Sequence, residues 1–317
     1  MSDFSLSVIM PNYNHGHYLA EVLESMLAQL PYFDEIIVVD DASTDNSVEI
    51  LEKYAEKYPL ITLVRNEKNL GAVPALQKGL ERARGSYVFL PSADDKILPG
   101  FFKKSTDLLK QYPEAGLCCC DSFTLSEATG LRTVNRRGLS ETPCYIPPDR
   151  LAGIMREKIV FLSGFGSILK KSELLKTGLF PELKWSSDRI YVSMIALRAG
   201  LCCVPEPLVV WFSTAKSYAA QGVGRRGEHE KILESVFELL KQPQYSDVLE
   251  KFKKSCVLAS LHLAGLRVMA ANARFRDYLS PNLIRLVLWD EFKNSVSGYA
   301  PEAVKKIYRG LCGRPGA

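Results

Sequence analysis

Two acidic pairs, Asp40-Asp41 and Asp94-Asp95, each close an apolar strand-like run, and no other residues of the chain are so well placed to grip a metal-bound phosphate. The chemistry they suit is specific. A nucleoside diphosphate is a poor leaving group until its developing negative charge is met, and a divalent ion held by carboxylate oxygen meets it directly. Side chains next to each other on an extended backbone point to opposite sides, so one acid of a pair can take a cation while its neighbour takes a hydroxyl. Polar strand ends with helix caps are the plainer explanation, and they account for one such pair more readily than for two.

Acids at strand ends need strands to carry them. Residues 35–39 (Glu-Ile-Ile-Val-Val) are β-branched and nearly continuous, as expected of a parallel strand buried on both faces, and Ala-Ser-Thr-Asp-Asn follows the acids as a polar loop. Residues 86–91 lead in the same way into Ser92-Ala93-Asp94-Asp95. The remaining units read in alternation: a strand over 6–10, a helix over 18–30, a helix capped by Ser43 or Asp45 and running to about Tyr58, a strand over 61–64, and a helix from near Pro74 to Arg84. Four strands alternating with three helices predict a mainly parallel α/β sheet with right-handed crossovers and helices on both faces. Ligands of such sheets lie beyond the carboxyl ends of the strands, where both acidic pairs fall.

From Pro99 the pattern becomes mixed, with a helix to about Gln111, a strand through 117–120, a turn over 128–130, a Pro-rich segment over 143–148, a strand over 165–169 and a helix over 189–199. Beyond about Ser213 it turns helical and charged, most clearly over 228–241 and 248–269. The expected division is a catalytic domain over 1–215 and a helical extension over 216–317.

Composition narrows the class. The chain has 317 residues, 47% of them hydrophobic, with 40 basic and 36 acidic side chains giving +4. That excess is too small over this length to argue for nucleic acid, while mild attraction to anionic substrates or lipid surfaces stays open. The eight cysteines include the runs Cys118-Cys119-Cys120 and Cys202-Cys203 in apolar stretches, without zinc or redox spacing, so they read as small buried hydrophobes in a reducing compartment. The first residues lack a signal-peptide pattern, and no apolar stretch reaches the roughly 20 residues needed to cross a bilayer. A cytoplasmic location is expected, with the inner membrane face open.

With these parts in order, the N-terminal half resembles family 2 glycosyltransferases of the GT-A fold. Ser7-Val8-Ile9-Met10-Pro11-Asn12-Tyr13-Asn14 is similar to that family's opening strand and nucleotide loop, and Val38-Val39-Asp40-Asp41-Ala42-Ser43-Thr44-Asp45 to its second. Asn69-Leu70-Gly71 through Gly79 resembles the next helix entry, and Gly85 through Asp95 the strand bearing the metal motif. The likeness continues more loosely to Gly200, covering about the first 215 residues.

The resemblance implies a role for individual residues. Pro11, Asn12 and Tyr13 would line base and ribose, and Asp41 would accept a hydrogen from the base, which suits uracil or thymine, although guanine also offers donors. Asp95 would hold Mn2+ or Mg2+, with Asp94 facing ribose or donor sugar. Ser92 stands where many relatives have a further aspartate. Leu76-Gln77 replaces a frequent Arg-Asn, and Lys78 is the basic residue that would compensate. Asp188, in Trp185-Ser186-Ser187-Asp188-Arg189, would be the base that deprotonates the acceptor, although Ser187 replaces the family's first acid there and an aspartate at a helix start also serves as a cap. Trp185 is a candidate for stacking on a sugar. Arg225 and Arg226 are candidates for a loop that closes on the diphosphate, an exposed basic turn being the plainer reading. His15 and His17 are read as loop or substrate-lining residues, because a cation for diphosphate prefers oxygen. Ser163-Gly164-Phe165-Gly166-Ser167 precedes a strand, so close packing near the acceptor explains its glycines better than a dinucleotide fingerprint.

The function implied is an inverting glycosyltransferase that moves a sugar from a nucleotide donor, a UDP-sugar first, to a hydroxyl of a glycan or glycolipid in cell-surface polysaccharide synthesis. Two rivals belong to other classes: a catalytically silent nucleotide-sugar-binding or scaffold protein, and a phospho-receiver-like module. The C-terminal helices, with an apolar patch at Ile284, Val287, Leu288 and Trp289, suit acceptor binding, a homodimer or peripheral membrane contact.

Overall fold

β1 (Leu6–Asn12) and β2 (Glu35–Asp40) run parallel in register from Ser7 opposite Glu35 to Asn12 opposite Asp40, in a computed structural model that describes residues 4–126, 129–213 and 226–299. Every residue of β2 is buried. The period-2 alternation of a strand sorts its side chains between two layers. Val8, Met10, Ile36 and Val38 pack with Leu19, Leu23 and Met26 of α1 (Gly16–Leu27), whereas Ile9, Ile37 and Val39 pack with Ala75 and Leu80 of α3 (Ala72–Arg82). Gly79 permits the second contact, since a Cβ there would lie 2.3 Å from Ile9 Cγ2.

The half-sheet is completed by α2 (Ser47–Lys57), β3 (Ile61–Arg65) and β4 (Tyr87–Phe89). β3 joins β2 and β4 joins β1, both parallel, giving the order β3-β2-β1-β4. The continuation is mixed, as expected. β9 (Ser167–Lys170) is antiparallel to both β4 and β6 (Leu117–Ser126), β10 (Leu201–Ser213) lies parallel to β6, and the short β5 (Lys96–Ile97) closes the row antiparallel to β10. β7 (Arg132–Asn135) pairs with β6, and β8 (Cys144–Ile146) with β10. Cys118, Cys119, Cys120, Cys202 and Cys203 are buried free thiols in the centre of this sheet, the role of small apolar residues.

α4 (Phe101–Gln111), α5 (Pro148–Glu157), α6 (Lys171–Thr177) and α7 (Ser187–Ala199) flank the sheet. After them come α8 (Arg226–Leu240), α9 (Ser246–Ser255), α10 (His262–Ala271) and α11 (Pro281–Tyr299). Their apolar side chains, among them Phe237, Phe252, Met269 and Val287, belong to the same buried cluster as Ile9 and Val192.

The helix expected over 248–269 is in fact two, bent by 76°. Cys256 takes a left-handed φ of 57° between them, and a 3-10 turn, Val257–Leu261, follows. Neither glycine nor proline marks the break. It is set by packing: Ser255 through Leu261 are all buried, and Ser260 offers its carbonyl to Arg189 Nη1 at 2.9 Å. Among the described residues no single helix is long and apolar enough to cross a membrane, and the one bent pair that passes by length and composition is this one.

Candidate active site

The two loops that follow β1 and β2 are laced into one surface. Asp40 accepts from Asn12 Nδ2 at 2.8 Å, from Ser43 Oγ at 2.6 Å and from the Ser43 N–H at 3.0 Å, while Asn14 Oδ1 accepts from the Thr44 N–H at 2.7 Å. Asn14 itself has φ 56°, a conformation asparagine tolerates better than most residues. Asp45 takes the Gly16 N–H at 2.9 Å and the Ser47 N–H at 2.9 Å. Burial opposes its charge, but these hydrogen bonds win and hold its carboxyl below the usual range. The α2 cap falls at Asn46, with Asp45 serving the first turn from one residue further back. Pro11 and Asn12 therefore lie on a fixed floor, and Tyr13 projects from it, 43% exposed.

Asp41 looks the other way. Its carboxylate receives Asn66 Nδ2 at 2.7 Å, the Leu70 N–H at 3.0 Å and the Gly71 N–H at 2.7 Å, so it fixes residues 66–71. Lys78 supports that arrangement from α3, donating to Asn66 Oδ1 at 2.5 Å and to the Arg65 carbonyl at 3.3 Å. Lys78 is thus linked to Asp41 through Asn66.

The second acidic pair sits on a turn. β4 ends at Phe89, and the Asp95 N–H closes a turn onto the Ser92 carbonyl at 3.3 Å, with the Ser92 N–H donating to Asp95 Oδ2 at 3.0 Å. The turn replaces the extended stretch expected at 92–95, and it still separates the acids: Asp95 is 5% exposed and Asp94 half-buried. Burial pushes the Asp95 carboxyl well above the usual range, the neighbouring Asp94 charge raises it further, and Asp188 adds to the same effect. Asp188 thus lies within electrostatic reach of Asp95 although 93 residues separate them.

Asp188 lies at the first turn of α7. Its Oδ2 accepts from the Gly164 N–H at 2.9 Å and its Oδ1 from its own neighbour's N–H, Arg189, at 2.7 Å. Burial raises its pKa, and the Gly164 hydrogen bond and the Arg189 and Arg137 charges pull back against it. A Cβ on Gly164 would stand 2.9 Å from Tyr191 Oη and 3.4 Å from Asp188 Cβ, which is the close packing the glycine-rich stretch predicted. Ser187, in place of an acid, accepts the Phe180 N–H at 3.1 Å with its hydroxyl.

Arg137 is one of the residues that sequence reasoning missed. It donates to the carbonyls of Cys120, Phe161 and Phe165 at 2.7, 2.7 and 2.8 Å, tying the loop that carries Gly164 to β6. Nothing in its local sequence signals this, because each of these carbonyls is at least 17 residues away. Trp185 stacks on His229 of α8, ring centroids 6.4 Å apart and 22° between planes. His15 contacts Tyr18, and His17 lies 3.9 Å from the same ring, as loop residues. Arg225 lies outside the described residues, and Arg226 is the first residue of α8.

Among the described residues no three His, Cys, Asp or Glu side chains form a ready-made metal cage. The donor set nevertheless fits a hard cation: oxygen ligands only, and a buried carboxylate within electrostatic reach of two further acids. Mg2+ in particular is held by one or two carboxylates plus phosphate oxygens.

Residues 7–174, more than half of the chain, match the family model described as glycosyl transferase family 2. The chain belongs to this family. It is 44% identical over 146 residues to the uncharacterized glycosyltransferase YibD of Escherichia coli, a stretch covering 46% of this chain and 39% of YibD. It is 30% identical over 199 residues to the poly(ribitol-phosphate) beta-glucosyltransferase of Bacillus spizizenii, covering 61% of this chain and 30% of that protein. The chain thus spans well under half the length of both relatives. The crystal structure of Staphylococcus aureus TarS 1-349 in complex with UDP-GlcNAc superposes with a TM-score of 0.65 at 18% identity, covering 90% of this chain and 84% of that one. The fold is therefore that of the GT-A glycosyltransferases, with a helical C-terminal region.

Proposed function

We propose that this family 2 enzyme is an inverting glycosyltransferase that transfers a sugar from a nucleotide donor, a UDP-sugar first, to a hydroxyl of a glycan or glycolipid in cell-surface polysaccharide synthesis. The observation that carries the proposal is a carboxylate, Asp95, buried in the turn after β4 and within electrostatic reach of Asp94 and Asp188. Support for the donor comes from the TarS complex with UDP-GlcNAc, and support for a polymeric acceptor from the named relative that glucosylates poly(ribitol phosphate).

Pro11, Asn12 and Tyr13 line the base and ribose, and Asp41 bounds the base pocket by fixing Asn66, Leu70 and Gly71. Asp94 faces the ribose or donor sugar. A divalent cation, Mn2+ or Mg2+, would be held by Asp95 and would supply positive charge to the departing diphosphate. Asp188 takes the proton of the acceptor hydroxyl as its oxygen bonds to the anomeric carbon on the face opposite the diphosphate, whose bond to that carbon breaks. The Gly164 and Arg189 N–H groups aim the carboxylate and favour its charged form. The domain division at about residue 215, and Arg225 and Arg226 as diphosphate contacts, belong to this proposal. So does peripheral membrane contact through the exposed face of α11, where Ile284, Leu288, Trp289 and Phe292 are 37–54% exposed.

The test is UDP release from a panel of UDP-sugars with Mn2+, with and without extracted cell-surface glycans. Acceptor-stimulated release by the wild type, lost in Asp188→Asn, supports the reading. Donor binding with no release from any pair supports the silent-scaffold alternative instead. Co-flotation with anionic vesicles tests the α11 face, and a Trp289→Glu variant that floats equally well removes it.

A further inference from the structure

A cavity of about 390 Å3 opens between the start of α7, where Ser186 and Arg189 flank the proposed base in sequence, and the C-terminal helices α8 and α10. Its walls include Trp185, Arg189, His229, Glu230, His262 and Arg267. Two arginines and two histidines therefore surround a single carboxylate. Arg267 is exposed and makes no ion pair among the described residues, and His262 lies 3.5 Å from Asp290.

Arg189 is bound on two sides and unsatisfied on a third. Nη1 donates to the Ser260 carbonyl at 2.9 Å, and the guanidinium lies 4.5 Å above the Phe161 ring. Its Nε is buried without a hydrogen-bond partner, and so is Nδ1 of His229. Burial lowers the His229 pKa, and the nearby Arg189 charge lowers it further, so these two groups act on each other across the cavity. The acidic group acting on Arg189 is Asp188 itself. Buried polar nitrogens without partners are rare in folded proteins and need a reason.

We infer that this cavity is the acceptor subsite and that it recognises an anionic group, phosphate or carboxylate, on the acceptor unit whose hydroxyl meets Asp188. The Trp185 face supplies the apolar wall against the acceptor's carbon skeleton, while Arg189, Arg267 and His229 supply donors to the anion. Guanidinium groups match phosphate and carboxylate oxygens in pairs, which a neutral polyol cannot exploit equally. The inference rests on the glycosyltransferase reading, and it narrows the acceptor from any glycan to an acidic one.

The experiment is calorimetric titration of the whole protein, with saturating UDP and Mn2+ filling the donor side, using ribitol 5-phosphate, glucuronate and uncharged ribitol. At least one anion should bind about tenfold more tightly than ribitol, the scale of one or two charge-assisted hydrogen bonds at a partly open site. Whichever anion binds tighter identifies the group recognised. Arg267→Gln and His229→Gln should each lower anion affinity by roughly three- to tenfold without changing ribitol or UDP affinity or the melting temperature. Equal binding of ribitol and both anions would overturn the inference, as would unchanged anion affinity in both variants. If UDP failed to bind while the anions kept this mutational signature, the anion site would stand and the transferase reading would fall.

Discussion

Asp95→Asn exchanges one carboxylate oxygen for an amide nitrogen and leaves an acceptor for the Ser92 N–H, 3.0 Å from Oδ2 in the wild type. The turn that presents residue 95 should survive. What disappears is a charge that the fold holds at 5% exposure, raised in pKa first by burial and then by Asp94 and Asp188. A carboxyl whose folded pKa exceeds its unfolded value binds its proton longer in the native state. The contribution of Asp95 to stability without metal is therefore fully present below the unfolded pKa, about 4, and is lost as pH rises through the folded value. At neutral pH the variant escapes that loss. Relieving strain at a functional site commonly gains about 0.5–2 kcal/mol, or roughly 1–5 °C in Tm for a chain of this size. With Mn2+ and UDP the order should reverse. A ligand at about 100 times its Kd adds about 2.7 kcal/mol to the wild type, and the variant should lose most of that gain. Scanning calorimetry from pH 4 to 8, with and without Mn2+ and UDP, reads both effects. A variant less stable than the metal-free wild type at pH 7, or one with the full ligand-induced shift, would refute the reasoning.

Asp188→Asn should leave UDP affinity within about twofold and lower transfer by roughly 10²–10⁴, the range of general-base catalysis, as read by product formation. In the wild type, kcat/KM should fall on the acid side through a pKa above the usual carboxylate value, because the base must be deprotonated and burial raises it; an acid limb at or below about 4 would speak against this residue. Asp41→Asn turns an amide toward the Leu70 and Gly71 N–H groups and should cost about 1–3 kcal/mol in denaturant unfolding, together with UDP affinity; unchanged stability would contradict the loop-fixing role. Gly164→Ala pushes a methyl to 2.9 Å from Tyr191 Oη and should reduce transfer at least about tenfold, with donor affinity retained. Full transfer by that variant would mean that the Gly164 loop does not position Asp188.

Much of this site was legible because strand ends and turn residues write themselves into sequence. The acids after 35–39 and 86–90, the Asn and Ser residues beside them and the glycine-rich stretch at 163–167 each carried a local signal. The turn at 92–95 was harder, since β4 ends at Phe89 and only the pairing of Ser92 with Asp95 bends the chain. The engagement of Asp41 by Asn66, Leu70 and Gly71, and of Lys78 by Asn66, depends on how β2, β3 and α3 meet. Arg137, Arg189 and His229 gave no signal at all, because an isolated basic residue looks the same whether it is solvated or clasping carbonyls across the fold. The break at Cys256 was hidden for a related reason: the apolar pattern of 248–269 continues through it, and only burial against α7 and α11 forces the left-handed turn.

The central claim is that a nucleoside diphosphate binds at the corner formed by the β1 and β2 loops through a cation on Asp95. Titration of UDP into the wild type and Asp95→Ala, each with Mn2+ and with EDTA, tests it most directly. The account predicts binding at least about tenfold tighter with Mn2+ in the wild type and no such dependence in the variant. Equal UDP affinity and equal Mn2+ dependence in the two proteins would contradict it.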